Sequence, residues 1–95
     1  MFLQIKPHET MKDIGIKLRR IREIYGFSQE HVAYYCNISQ SAYCKKESGD
    51  RNPSLERLIQ LATLYEIELQ DLINLDLRKI SILAHQKQIE KLQKN

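Results

Sequence analysis

The stretch Ser28–Gly49, SQEHVAYYCNISQSAYCKKESG, decides the fold. Ser28 and Ser39 carry hydroxyls that accept from the free N–H groups of a first helical turn, so each starts a helix. Val32, Ala33 and Cys36 give the first of these helices an inward face. Asn37 tolerates the left-handed conformation that a tight turn needs. The second helix runs to about Glu47, and Gly49 ends it. It is short and polar, carrying Gln40, Ser41, Cys44, Lys45 and Lys46. A helix of barely two turns cannot stabilise itself. Its neighbours must hold it, and its polar face is available for another task.

Working outward, the periodicity predicts helices on both sides. From Asp13, Ile14, Leu18, Ile21 and Tyr25 recur on one helical face, and Gly26 closes it. Gly15 falls inside that pattern. Downstream, Pro53 disfavours helix at Asn52 and Ser54 caps a fourth helix. Its stripe of Leu55, Leu58, Ile59, Leu61, Ala62, Leu64 and Tyr65 is broad enough to predict extensive burial. A short fifth helix is expected over about Glu68–Ile73 and a sixth over about Leu77–Leu92. The opening MFLQIKP reads as an arm or a short strand. The expected division is an N-terminal arm over 1–11, a helical domain over 12–74, and a helical extension over 75–95.

Bulk properties set the class. Ninety-five residues make one domain with a terminal appendage. No apolar run reaches membrane-span length, and Met1-Phe2-Leu3 is too short for a signal peptide, so a soluble, cytoplasmic protein without a membrane partner is expected. Cys36 and Cys44 fit neither a disulfide scaffold nor a zinc site and read as reduced thiols, Cys36 in the core. His8, His31 and His85 are scattered without ligand spacing, so no metal or cofactor is expected. The net charge is +3, but residues 26–75 hold four basic against seven acidic residues. Charge alone therefore does not argue for a polyanionic partner. No Walker motif, dinucleotide glycine pattern or nucleophile–base set is visible, which argues against an enzyme.

Two helices joined by about three residues have the spacing of a helix-turn-helix. In that geometry the second helix lies in the DNA major groove and the first crosses the backbone above it. Short length and polarity then make sense, because only the front of the helix enters the groove and base edges offer donors and acceptors.

The elements GFSQE, NIS, ESG and RNPSLERL, in that order, resemble the Xre family of phage-repressor and Cro-like helix-turn-helix domains. The resemblance covers Ile14 to Ile73. It implies an all-α, five-helix, lambda-repressor-like domain with the C-terminal helical extension beside it. Gln40, Ser41 and Lys45 match base-reading positions, and Ala42 sits where a methyl meets a thymine methyl. Gln29, Arg51 and Asn52 match DNA-backbone contacts, Gln29 also bracing the recognition helix, and Ser28 and Lys46 beside them are further candidate backbone contacts, with a snorkelled surface lysine the competing reading for Lys46. Arg22 and Glu47 match a partly buried ion pair. Leu69, Leu72, Ile73 and Leu75, extended by Ile80, match a dimer interface. The sequence departs from the family pattern at Asn37, where glycine is usual. Tyr43 stands for an aliphatic residue, and Lys46 stands for an apolar one whose stem would pack while its ammonium snorkels. Tyr34 and Tyr35 stand where polar residues are usual.

The implied function is a sequence-specific, DNA-binding transcriptional regulator, a repressor acting as a homodimer on a pseudo-palindromic site in double-stranded DNA. Alternatives are the DNA-binding antitoxin of a toxin pair, with the toxin as protein partner, a restriction–modification controller, or an interaction adaptor that has lost DNA binding. Deleting residues 76–95 is expected to leave a folded domain with weakened dimerisation, although packing of the tail on its own domain competes with that reading.

Overall fold

The computed structural model describes residues 7–93, with side chains from Ile14 onward. The described residues form six helices and no strand: α1 Pro7–Tyr25, α2 Gln29–Cys36, α3 Gln40–Ser48, α4 Leu55–Tyr65, α5 Leu69–Asn74 and α6 Leu77–Gln93. Helix α1 begins at Pro7, ahead of the expected Asp13. Proline suits a first helical position, where its missing N–H would have no partner anyway. The expected arm over 1–11 is therefore helical from Pro7, and its first six positions lie outside the described residues.

The caps behave as their residue types dictate. Ser28, Ser39 and Ser54 accept from the backbone N–H groups of His31, Ala42 and Arg57 at 3.0, 3.0 and 3.1 Å. Asn37 turns α2 into α3 at φ 60°, and Gly49 follows α3 at φ 88°. Glu66 ends α4 at φ 57°, its N–H donating to Ala62 and Thr63 carbonyls. The side chain of Asp76 accepts from the Lys79 N–H at 2.9 Å and so caps α6.

The core gathers Ile14, Leu18 and Ile21 of α1 with Val32, Tyr43, Leu61, Tyr65 and Leu72. Each large side chain buried this way contributes on the order of 1.5–3 kcal/mol against an exposed reference. The α4 stripe is narrower than expected: Leu55 and Ile59 are exposed, and among the described residues no element covers that side of the helix. Helix α6 is part of the core, since Ile80 and Ala84 are fully buried against it. Near its start, the buried Lys17 ammonium donates to the Ile73 and Leu75 carbonyls at 2.8 and 3.1 Å, satisfying acceptors at the end of α5. Near its end, Lys91 pairs with Glu66 at 3.3 Å and lies 5.6 Å from the Tyr25 ring centre. Helix α6 thus runs beside α1 in the same sense.

This packing corrects the expected interface. Ile80 and Leu72 are enclosed within one chain and are not a surface for a second copy, whereas Leu69, Ile73 and Leu75 are half-buried at its margin. A chain lacking 76–95 would lose two core residues, Ile80 and Ala84, and uncover part of α1. Among the described residues, no helix is long and apolar enough to cross a membrane.

Candidate nucleic-acid interface

Helix α3 is anchored on its inner side at three places. Tyr43 is fully buried, its large ring taking the place of the expected aliphatic side chain. At the C-terminal end, α3 rests against Gly15 of α1 with no room between them. A Cβ built on Gly15 would collide with the Glu47 carbonyl oxygen and lie 2.7 Å from the Lys46 carbonyl oxygen. The third anchor is electrostatic. Arg22 Nε donates to Glu47 Oε2 at 2.7 Å and Nη2 donates to Oε1 at 3.2 Å, while Nη1 donates to the Phe27 carbonyl at 2.9 Å. The pair is nearly closed to solvent, with side-chain exposures of 13% and 4%. Burial alone would raise the Glu47 carboxyl. The hydrogen bonds and charge of Arg22, with the bond from Gln29, outweigh burial and hold it below the ordinary carboxylate range. The buried Tyr43 hydroxyl lies beside it but makes no bond of hydrogen-bonding geometry.

From this anchor a chain of side-chain amides leads to the surface. Gln29 Nε2 donates to Glu47 Oε1 at 3.1 Å, and Gln40 Nε2 donates to Gln29 Oε1 at 3.3 Å. The end of α2 is braced separately. Arg57 of α4 donates through Nη1 to the Cys36 carbonyl at 2.6 Å and to Gln60 Oε1. Burial pushes the Cys36 thiol up despite the neighbouring Arg57 guanidinium, so it remains a protonated core residue.

The outer side of α3 exposes Gln40, Ser41, Cys44 and Lys45, with Ala42 and Lys46 half-buried. Two clefts flank it. One, of about 360 Å³, is lined by Gln29, Gln40, Ser41, Cys44 and Lys45. The other, of about 290 Å³, is lined by Ser39, Ser41, Ala42, Lys45, Lys46 and Arg51. Ser41 and Lys45 line both and form the ridge between them. Ala42 belongs with the cationic cleft and does not line the one that holds Gln40. Arg51 and Asn52 are exposed beyond Gly49, and the Arg51 N–H donates to the Lys45 carbonyl at 3.2 Å, which ties that loop to α3. Ser28 is exposed at the front of α2, and Tyr34 and Tyr35 are exposed on its outer side. The roles of Lys17 and Arg57 were not anticipated, since each joins elements distant in sequence.

A polar ridge on a short helix, clamped by the helix before it, has an independent counterpart in sequence comparison. A family profile described as helix-turn-helix matches residues 18–72, more than half of the chain. The chain belongs to the helix-turn-helix family. Within it, the order of motifs around α2 and α3 is Xre-like. The match takes in α2, α3 and α4 and leaves α6 outside it. Among curated proteins, the HTH-type transcriptional regulator AnsR of Bacillus subtilis (strain 168) is 33% identical over 63 residues, covering 66% of this chain and 54% of that protein. The uncharacterized HTH-type transcriptional regulator YobD of the same strain is 29% identical over 59 residues, covering 62% of this chain and 53% of that protein. The chain spans about half the length of these two relatives. No solved structure gives a significant match.

Proposed function

We propose that this helix-turn-helix chain is a transcriptional regulator that reads duplex DNA with α3, acting as a repressor and as a dimer on a pseudo-palindromic site. The observation that carries this reading is the Ser41–Lys45 ridge, exposed between two clefts on a helix whose other side is locked into the domain. A helix so held enters the major groove with its side chains already placed, which lowers the ordering cost of binding. AnsR and YobD are named HTH-type transcriptional regulators, which supports the regulatory part of this reading.

The division of labour follows from chemistry. Gln40 offers an amide to an adenine edge, Lys45 reaches guanine O6 and N7, and Ser41 between them suits either. The cationic cleft of Lys46 and Arg51, with Asn52 beyond it, takes one strand's phosphates. Ser28 and Gln29, at the N-terminus of α2, take a phosphate beside the other cleft. One recognition helix covers few base pairs, so two copies must sit one helical turn apart, about 34 Å. With Ile80 and Leu72 committed to the core, Leu69, Ile73 and Leu75 are the margin left for the partner copy. Repression follows from occupying a site that transcription requires.

Reading and gripping are separable by experiment. Lys45→Ala should cost about 1–3 kcal/mol on the preferred duplex and relax the preference at one base pair. Arg51→Ala should weaken all duplexes alike and make the salt dependence shallower by about one unit. Titrations of preferred and random duplexes at several salt concentrations measure both. Equal loss on both duplexes for Lys45→Ala would make that lysine a phosphate contact.

A further inference from the structure

We propose that the groove between the end of α4, the start of α5 and the middle of α6 receives an amphipathic, cationic helix from another protein. The inference does not depend on which bases α3 reads, and no residue of the two clefts beside α3 lines this groove.

The groove holds about 560 Å³. Its floor is apolar: Ala62 and Ile67 are buried, Leu69 and Leu83 are half-buried, and Ile59 is 47% exposed. Leu55, one turn before Ile59 on α4 and also exposed, continues the apolar strip along that helix. Isolated exposed apolar side chains need no explanation, but a strip that runs into a hollow marks a contact surface. The charges around the groove do not balance. Lys87 faces Glu90 at 3.9 Å and Glu66 faces Lys91 at 3.3 Å, so these four largely cancel. Glu68 and Asp71 line the groove without an ion pair among the described residues. Glu68 stands at the N-cap of α5, yet its side chain makes no cap bond, unlike those of Ser28, Ser39 and Ser54. One wall is therefore left with two negative charges that a cationic partner would meet. A small molecule would stay largely exposed in so open a trough, whereas ligand sites enclose most of what they hold. A second copy fits poorly too. A two-fold contact sets a surface against itself, and two hollows rimmed by like charges neither fill nor attract each other. The described residues offer no strand for an extended peptide to pair with. The fitting occupant is a helix whose apolar side chains at i, i+3 or i+4 and i+7 enter the floor while lysine or arginine meets Glu68 and Asp71. Of the margin given to a second copy, Leu69 alone lines this groove.

The test uses the full chain and a pair of fluorescein-labelled synthetic helices. Both carry leucine at i, i+3 and i+7; one has lysines on either side of that stripe and the other has glutamates. In fluorescence anisotropy titrations the lysine helix should bind wild type roughly ten-fold more tightly than the glutamate helix. The chain carries a net charge of +3, so unspecific attraction would favour the glutamate helix instead. Glu68→Lys/Asp71→Lys should reverse the preference. Ile59→Ser should weaken both helices and leave the affinity for the selected duplex unchanged. If the double reversal disturbs α5, Glu68→Lys, which removes no cap bond, decides alone. Absence of binding to wild type, or a preference that does not reverse in a folded variant, would overturn the inference. So would sedimentation equilibrium showing a dimeric wild type and a monomeric Ile59→Ser chain, because a second copy would then fill the groove.

Discussion

Gly15→Ala tests how α3 is held. An alanine in mid-helix normally stabilises, by roughly 1 kcal/mol relative to glycine. At Gly15 the added methyl would meet backbone at the end of α3: the Glu47 carbonyl oxygen in collision, the Lys46 carbonyl oxygen at 2.7 Å and the Glu47 carbonyl carbon at 2.9 Å. Ordinary contact begins at 3.4 Å, so α3 must retreat from α1 by about 0.7 Å or more. Peptide groups cannot rotate aside as a long side chain can. Overpacking of this kind costs about 1–3 kcal/mol, occasionally more, and rigid backbone on one side places it at the upper end. Against the propensity gain, a net loss of about 2 kcal/mol is expected. For a chain of this size that lowers the melting temperature by about 8–16 °C. Calorimetry and urea titration, with an unchanged m value, measure it. The retreat would also stretch the Glu47–Gln29 bond, so DNA affinity should fall beyond the loss of folded protein. A Gly15→Ala chain as stable as wild type would refute the account of how α3 is seated.

Glu47→Ala should destabilise by about 3 kcal/mol, because it strands the Arg22 guanidinium, and urea midpoints check this. Glu47 is held below its ordinary range when folded. Its contribution is therefore fully present above the unfolded carboxylate pKa and is lost as pH falls through the folded value. The stability gap between wild type and Glu47→Gln should close in acid, as denaturant titrations across that range would record. Deleting 76–95 removes the fully buried Ile80 and Ala84, and circular dichroism should show a chain that no longer melts cooperatively.

Much of this architecture is written locally. Ser28, Ser39 and Ser54 cap because a hydroxyl one residue before a helix has its acceptor in place whatever the rest of the chain does. Asn37 is legible as a left-handed turn for the same reason, and the α1 stripe of Ile14, Leu18, Ile21 and Tyr25 needs only the helical period. Long-range geometry is different. Gly15 looks like a weak point in a helix until α3 is laid across it. Lys17 looks like a solvated lysine until the carbonyls of α5 arrive beneath it. Tail residues Ile80 and Ala84 offer an apolar face that suits a second copy or the chain's own α1 equally well, and only packing chooses. Glu66 carries no sign of its left-handed φ, because glutamate, unlike asparagine or aspartate, is not among the residues enriched there. At the candidate interface, Arg22 and Glu47 were anticipated through family resemblance, whereas the donor–acceptor order from Glu47 through Gln29 to Gln40 required coordinates.

Selection of bound sequences from a pool of random DNA duplexes tests the central claim most directly. The account predicts enrichment of a pseudo-palindrome whose half-sites lie about 10 base pairs apart, centre to centre, with enrichment lost when Gln40 and Lys45 are both replaced by alanine. Recovery of unselected sequence by the folded full-length chain would contradict it.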